Sequence, residues 1–221
     1  MILWGNVFPK IQLREQIWDE EFTTGSSLPD TIQLAHYPVV EGSETVTNFD
    51  GTVTYRRGTD YTMDYENGQI TVLDSGGMQT NTTYKIDYEY VYQEKTLNAD
   101  TGTNVWIEWI REVLGRMVTQ SGEEIEWSAG WRMHCKIVVT EFDVYTVTDF
   151  LRMAYSWRGA DRRIILYPRP GYLPGYEVLP DMNYKFEYPN NVWKGQILEV
   201  SFRSKRLFDN ISPHTGGTGD A

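Results

Sequence analysis

The dipeptide Asn67-Gly68, set between two short runs of alternating character, constrains this chain more than any other feature. A two-residue hairpin turn that follows the twist of its strands needs positive φ at both central positions, and Asn-Gly meets that need at least cost. Such a turn pairs Tyr65 with Ile70 and Met63 with Val72, with all four side chains on one side of the ribbon. Asp64 and Thr71 fall on the other side. A slip of one residue would set apolar faces against polar ones, so the register is specified. Further on, Tyr84, Ile86, Tyr88, Tyr90 and Tyr92 alternate with Lys85, Asp87, Glu89 and Val91, the period of a half-buried strand.

Around this hairpin the candidate strands are Thr31–His36, Glu44–Asn48, Thr52–Arg56, Tyr61–Glu66, Gln69–Leu73 and Thr83–Tyr92. Turn signals at Glu41-Gly42-Ser43, Asp50-Gly51, Gly58 and Ser75-Gly76-Gly77 separate them, so residues 28–96 read as a small β-sandwich-like domain. Residues 1–27 read as an N-terminal arm. Its Trp4, Phe8 and Trp18 sit among polar residues without sustained periodicity, and Gly25-Ser26-Ser27 ends it. An arm this apolar is not freely disordered; it packs on its own domain or reaches a neighbouring subunit. The polar stretch Leu97–Asn104 is the domain boundary. Asn98, Asp100 and Gly102 only faintly resemble a calcium loop, because the twelfth position counted from Asn98 is Trp109 rather than an acid.

Residues 97–208 read as an α+β domain, a β-sheet with one or two helices. Trp106, Trp109, Ile110, Val113, Leu114 and Met117 recur at helical spacing and predict an amphipathic helix over Val105–Val118. Trp131–Val139 alternates as a strand. Thr146-Val147-Thr148-Asp149 fits a capping box, and Val147, Phe150, Leu151, Ala154 and Tyr155 make one helical stripe after it. Arg162–Tyr167, Tyr176–Leu179, Met182–Tyr188 and Gln196–Arg203 complete the strands, and residues 209–221 form a small, polar, flexible tail. The expected fold class is therefore mainly β, the sandwich-like domain preceding the α+β one.

Acidic residues outnumber basic ones by 31 to 20, a net charge of −11 that argues against tight or sequence-specific nucleic-acid binding. An acidic wall past which DNA slides is compatible with it. The one cysteine, Cys135, rules out an intramolecular disulfide, and its place on an apolar strand face makes it a core thiol. Its neighbour His134 points to the opposite face, so the two do not share a metal. The N-terminus lacks the pattern of a signal peptide, and no apolar stretch is long enough for a membrane helix, so a reducing cytoplasm is the expected site of synthesis and no membrane partner is expected. Nucleophile elbows and phosphate-binding glycine loops do not occur, so neither an enzyme nor a cofactor is expected. Carboxylate pairs of the kind a glycosidase uses are plentiful, as in any acidic chain. Tyr172, Tyr176 and Trp193, near the proline loop PRPGYLPG, are candidates for a subunit contact or for stacking on sugars.

The stretches GTDYTMDYENGQITVLDSGG (58–77) and TYKIDYEY (83–90), extended upstream by SETVTNFDGTVTYRRG (43–58), resemble a small β-domain of structural proteins from tailed bacteriophages. RRIILYPRPG, YEVLPDMNYKFEY and WKGQILEVSFRSKRL, between Arg162 and Leu207, are similar to phage tail or neck components. The resemblance implies a virion structural protein of the tail, neck or baseplate, assembled in the host bacterial cytoplasm. Its partners would be identical subunits in a ring around a DNA conduit and other virion proteins. It implies no catalytic residues. Trp4, Phe8, Trp18, Tyr172, Tyr176 and Trp193 are the candidate interface residues, and a carbohydrate-binding module for host-surface recognition is the alternative.

Overall fold

The structure, a computed structural model, describes residues 2–4, 9–96, 102–140, 142–143, 162–168, 170–171, 174–187, 194–195, 197–206 and 208. It is mainly β, and no helix occurs among the described residues. The chain divides into two compact units. One comprises Leu13–Gln93 and Gly159–Arg162; the other comprises Met1–Gln12, Glu94–Arg158 and Arg163–Ala221.

The Leu13–Gln93 unit buries one core under two sheets. The first sheet takes its strands in the order β2 (Lys10–Thr23), β8 (Thr83–Thr96), β4 (Thr45–Asn48), β5 (Thr54–Tyr55); the second runs β3 (Asp30–Gln33), β7 (Gln69–Val72), β6 (Tyr61–Asp64). Phe22, Val46, Tyr84, Ile86 and Tyr88 from the first sheet and Tyr61, Ile70 and Val72 from the second join one buried cluster. The alternation in β8 places Tyr84, Ile86, Tyr88 and Tyr90 inside, as expected. Buried phenols need partners. Gln79 N donates to Tyr84 Oη at 2.6 Å, and Tyr90 Oη donates to Glu15 Oε2 at 3.2 Å. Tyr88 Oη is bonded to Glu20, and burial, reinforced by that carboxylate, pushes the phenol up.

The hairpin register differs from the expected one. Met63 faces Ile70, Tyr61 faces Val72, and Asp64↔Gln69 closes the ladder, leaving residues 65–68 as the loop. This is a slip of two residues, which preserves every side-chain face, so hydrophobic pattern alone does not resolve it. The loop chemistry does. Asp64 accepts from Asn67 N at 3.1 Å and from Asn67 Nδ2 at 2.8 Å, so Asn67 closes the loop through its side chain. Of the Asn-Gly pair only Gly68 has positive φ, at 62°. Leu34 N donates to Gly68 O at 2.9 Å and Val39 N to Tyr65 O at 2.7 Å, which seat the loop on the preceding chain.

Residues 10–23, expected as part of an arm, form strand β2 instead. Its inward residues change parity partway along. Leu13 is buried and Ile17 packs on the core from odd positions, whereas Phe22 is buried and Glu20 reaches Tyr88 Oη from even ones. The change falls at Asp19, whose φ of 54° marks a bulge with one extra residue. That phase slip conceals the period of the strand in the sequence.

In the other unit the sheet runs β1 (Ile2–Trp4), β9 (Gly102–Val118), β10 (Glu124–Thr140), β15 (Ile197–Ser204), β13 (Tyr176–Glu187), β12 (Arg162–Tyr167). The expected helix over Val105–Val118 is strand β9, paired antiparallel with β10 from Gly102↔Thr140 to Val118↔Glu124. Apolar residues on both faces of a strand imitate helical spacing, and the full-length ladder with β10 decides for the strand. Tyr176–Leu179 and Met182–Tyr188, expected as separate strands, belong to one strand, β13, whose register shifts between Pro180 and Tyr184. Val105, Met133, Cys135, Ile137, Val200 and Phe202 are buried, and burial pushes the Cys135 thiol up to about 12. Two short strands, β11 (Phe142–Asp143) and β14 (Lys194–Gly195), pair with each other. The expected helix after Thr146, the boundary segment 97–101 and the tail 209–221 lie outside the described residues.

Candidate functional site

The outer part of the β9–β10 hairpin is a two-stranded ribbon. β9 pairs with β1 only from Val105 to Ile107, so one backbone edge of Glu108–Val118 has no strand partner among the described residues. Among the described residues β10 pairs with β15 only from His134 onward, and before that only Trp131 is bridged, to Phe208. The turn at the far end closes on Thr119. Thr119 N donates to Glu123 O at 2.8 Å, Glu123 N donates to Thr119 Oγ1 at 3.0 Å, and Gly122 supplies a φ of 84°.

The two faces of this ribbon differ. Gly115 and Met117 share a face with Trp127 and Ile125, and the register shifts between Trp127 and Gly130 turn that face to the side opposite the buried row Val105, Met133, Cys135, Ile137. Trp127 lies over Gly115, where an added Cβ would meet its ring at 3.5 Å. A cross-strand aromatic covering a strand glycine restores the packing that glycine lacks. The opposite face carries Val118 among ion pairs, with Arg111 Nη1 3.2 Å from Glu126 Oε1. Arg116 Nε lies 3.0 Å from Glu126 Oε2, and Arg116 Nη1 is 3.8 Å from Glu124 Oε1. On the sheet side of the register shifts, Arg132 grips Glu112 with two nitrogens and donates to Ser204 O at 2.6 Å. The Arg132 hydrogen bonds hold the Glu112 carboxyl below its ordinary range.

Leu114 is 73 % exposed, Val118 68 % and Trp127 48 %, with Val113, Met117 and Ile125 also open to solvent. An isolated two-stranded ribbon is marginal in water, and an unpaired apolar edge is a template for another chain. The arrangement is suited to bind protein: an apolar face, backbone donors and acceptors without a strand partner along one edge among the described residues, and charged rungs that set register.

Of the six candidates expected from sequence, Trp4, Trp18 and Tyr176 lie among the described residues. Trp4 pairs with Val105 in the sheet through its backbone. Trp18 is 64 % exposed at the β2 bulge, in the Leu13–Gln93 unit. Tyr176 belongs to the other unit, where its ring meets Trp109 and Phe208 edge-on, each at 6.1 Å, and burial pushes its phenol up. That internal cluster occupies Tyr176. Phe8, Tyr172 and Trp193 lie outside the described residues. Sequence reasoning missed Leu114, Met117, Val118, Ile125 and Trp127 as surface residues. The available signal was apolar residues at both odd and even positions of one segment.

A cleft of about 410 Å³ lies on the sheet face bearing Trp106, Glu108, His134, Lys136 and Ser201. Glu108 is opposite His134 across the ladder. No hydrogen bond joins Ser201 to His134 or His134 to Glu108 among the described residues. Among the described residues, no group of His, Cys, Asp and Glu could hold a metal ion and no helix is long and apolar enough to cross a membrane.

Comparison with known proteins gives one family model, described as "Protein of unknown function UCP028589", which matches residues 1–104. That span holds the Leu13–Gln93 segment and ends at the start of β9. No curated protein matches the chain.

Proposed function

We propose that this protein is a structural component of a tailed-phage virion, in the tail, neck or baseplate, and that it acts by assembly. The observation that carries the reading is the β9–β10 ribbon, whose apolar face and backbone edge are uncovered among the described residues. Identical subunits related by a rotation cover such a face by head-to-tail contacts that close into a ring. Each large apolar side chain buried in the contact contributes roughly 1.5–3 kcal/mol before ordering costs. The net charge of −11 suits a conduit through which DNA passes without adhering. Other tail, neck or baseplate proteins stack on the ring, no membrane is engaged, and no chemistry is catalysed.

The test is the mass of the purified chain by sedimentation, together with a search for it in purified phage particles by mass spectrometry. A ring that Leu114→Asp reduces to monomers supports the reading. A wild-type chain that stays monomeric at high concentration and is absent from particles overturns it.

A further inference from the structure

The β2 bulge sets two consecutive side chains, Trp18 and Asp19, on the outer face of the Leu13–Gln93 unit. A non-glycine residue at a φ of 54° is uncommon, and bulges re-aim side chains at sites. Here the bulge is held from the neighbouring strand: Asp19 N donates to Asp87 Oδ1 at 2.7 Å, and Lys85 Nζ lies 3.4 Å from Asp19 Oδ1. The same ammonium sits 5.0 Å from the centroid of the Phe49 ring, which is half exposed. Thr47 stands opposite Lys85 in the ladder and adds a hydroxyl to the same row. Three adjacent strands thus present an open indole, a second aromatic ring, carboxylates, an ammonium and a hydroxyl on one surface.

We infer that this surface is a binding site for a neutral pyranose of a surface glycan. The C–H face of such a ring is apolar and flat enough to stack on the Trp18 indole, while its hydroxyls both donate and accept. The Asp19 carboxylate, 71 % exposed, accepts hydrogen bonds from hydroxyls, and Lys85 donates to hydroxyl oxygens. Asp19 and Asp87 outnumber Lys85, so the local charge disfavours phosphate, anionic sugars and nucleic acid. The inference stands apart from the assembly role of the ribbon, because it uses residues of the other unit.

The full chain is applied to a printed array of neutral oligosaccharides containing glucose, galactose, rhamnose and N-acetylglucosamine, and each hit is titrated with the soluble oligosaccharide by calorimetry. The expected result is a hit whose affinity falls at least tenfold in Trp18→Ala and in Asp19→Gly, with unchanged melting temperature. Asp19→Gly keeps the left-handed backbone, which glycine adopts freely, and deletes only the carboxylate. Trp127→Ser on the ribbon leaves the affinity unchanged. No retained glycan, or equal retention by Trp18→Ala, overturns the inference. So does a Trp18→Ala variant that loses self-association while its glycan binding persists, which makes Trp18 a subunit contact.

Discussion

Strands β8 and β9 are both long and antiparallel, and they treat water in opposite ways. β8 turns Tyr84, Ile86, Tyr88 and Tyr90 into a core shared by two sheets and shows Lys85, Asp87 and Glu89 on the other side. β9 begins like it, with Val105 buried, and then carries apolar residues outward on both faces as far as Val118. The first arrangement is complete within its own unit. The second leaves large apolar side chains open to solvent among the described residues. The fold of the first unit rests on β8, and the assembly proposed above rests on β9, so the two are open to separate change.

Removing residues 1–24 tests the finished side hardest. It deletes β2, with Phe22 from the core and the Thr24 Oγ1 hydrogen bond to Gln79 O at 2.6 Å. Loss of cooperative thermal unfolding of the Leu13–Gln93 unit is expected, followed by circular dichroism. A truncated chain that melts like the full one would make β2 dispensable and end the contrast.

A smaller but still large effect is expected from Gly68→Val. A Cβ there would lie 2.7 Å from Tyr37 Cβ at a φ of 62°, so strain and overpacking combine to cost roughly 2–4 kcal/mol. In the ribbon, Gly122 has a φ of 84° and nothing within 4 Å, so Gly122→Ala should cost only about 1–2 kcal/mol. Denaturant midpoints of the two variants, compared with wild type, measure the difference; equal shifts would erase it.

On the open side, Leu114→Asp and Trp127→Ser should shift the denaturation midpoint of the monomer by less than about 1 kcal/mol, as surface changes usually do. Sedimentation should show that they abolish self-association. Monomers that unfold early would mean the ribbon is already packed in the single chain.

The smallest effect concerns pH. Asp60 accepts from Arg56 N and Gly77 N, each at 2.7 Å, and these hydrogen bonds hold its carboxyl below its ordinary value of 3.8. Folding therefore favours the ionised form. The stabilisation is complete above that ordinary value, declines as pH falls below it and is lost once pH passes the depressed value of the folded state. Because Asp60 is mostly solvated, the effect amounts to a few tenths of a kcal/mol, roughly. Asp60→Asn should melt slightly earlier than wild type at pH 7, and the gap should close in acid. A gap that widens in acid would reverse the sign.

What the sequence made legible follows from the same contrast. In β8 one face is wet and one is dry, so the period survives in the letters, as it does for the short strands β6 and β7. In β9 both faces are apolar, and an alternating strand passes for a helical stripe. β2 was hidden by its bulge, and the hairpin register by a two-residue slip that leaves every face unchanged. The ribbon's exposure was illegible because exposure depends on which strands lie alongside, and no local pattern records that β9 outruns β1.

The extra residue of β2 gives the strand a tolerance for changes in chain length. In an unbroken strand, loss of one residue throws every later side chain to the wrong side of the sheet. Between Ile17 and Glu20 two residues occupy the place of one outward position, so a chain lacking either Trp18 or Asp19 still carries Ile17 and Phe22 inward. Homologues of different length can therefore share this core, with the gap in their alignment falling where Trp18 stands.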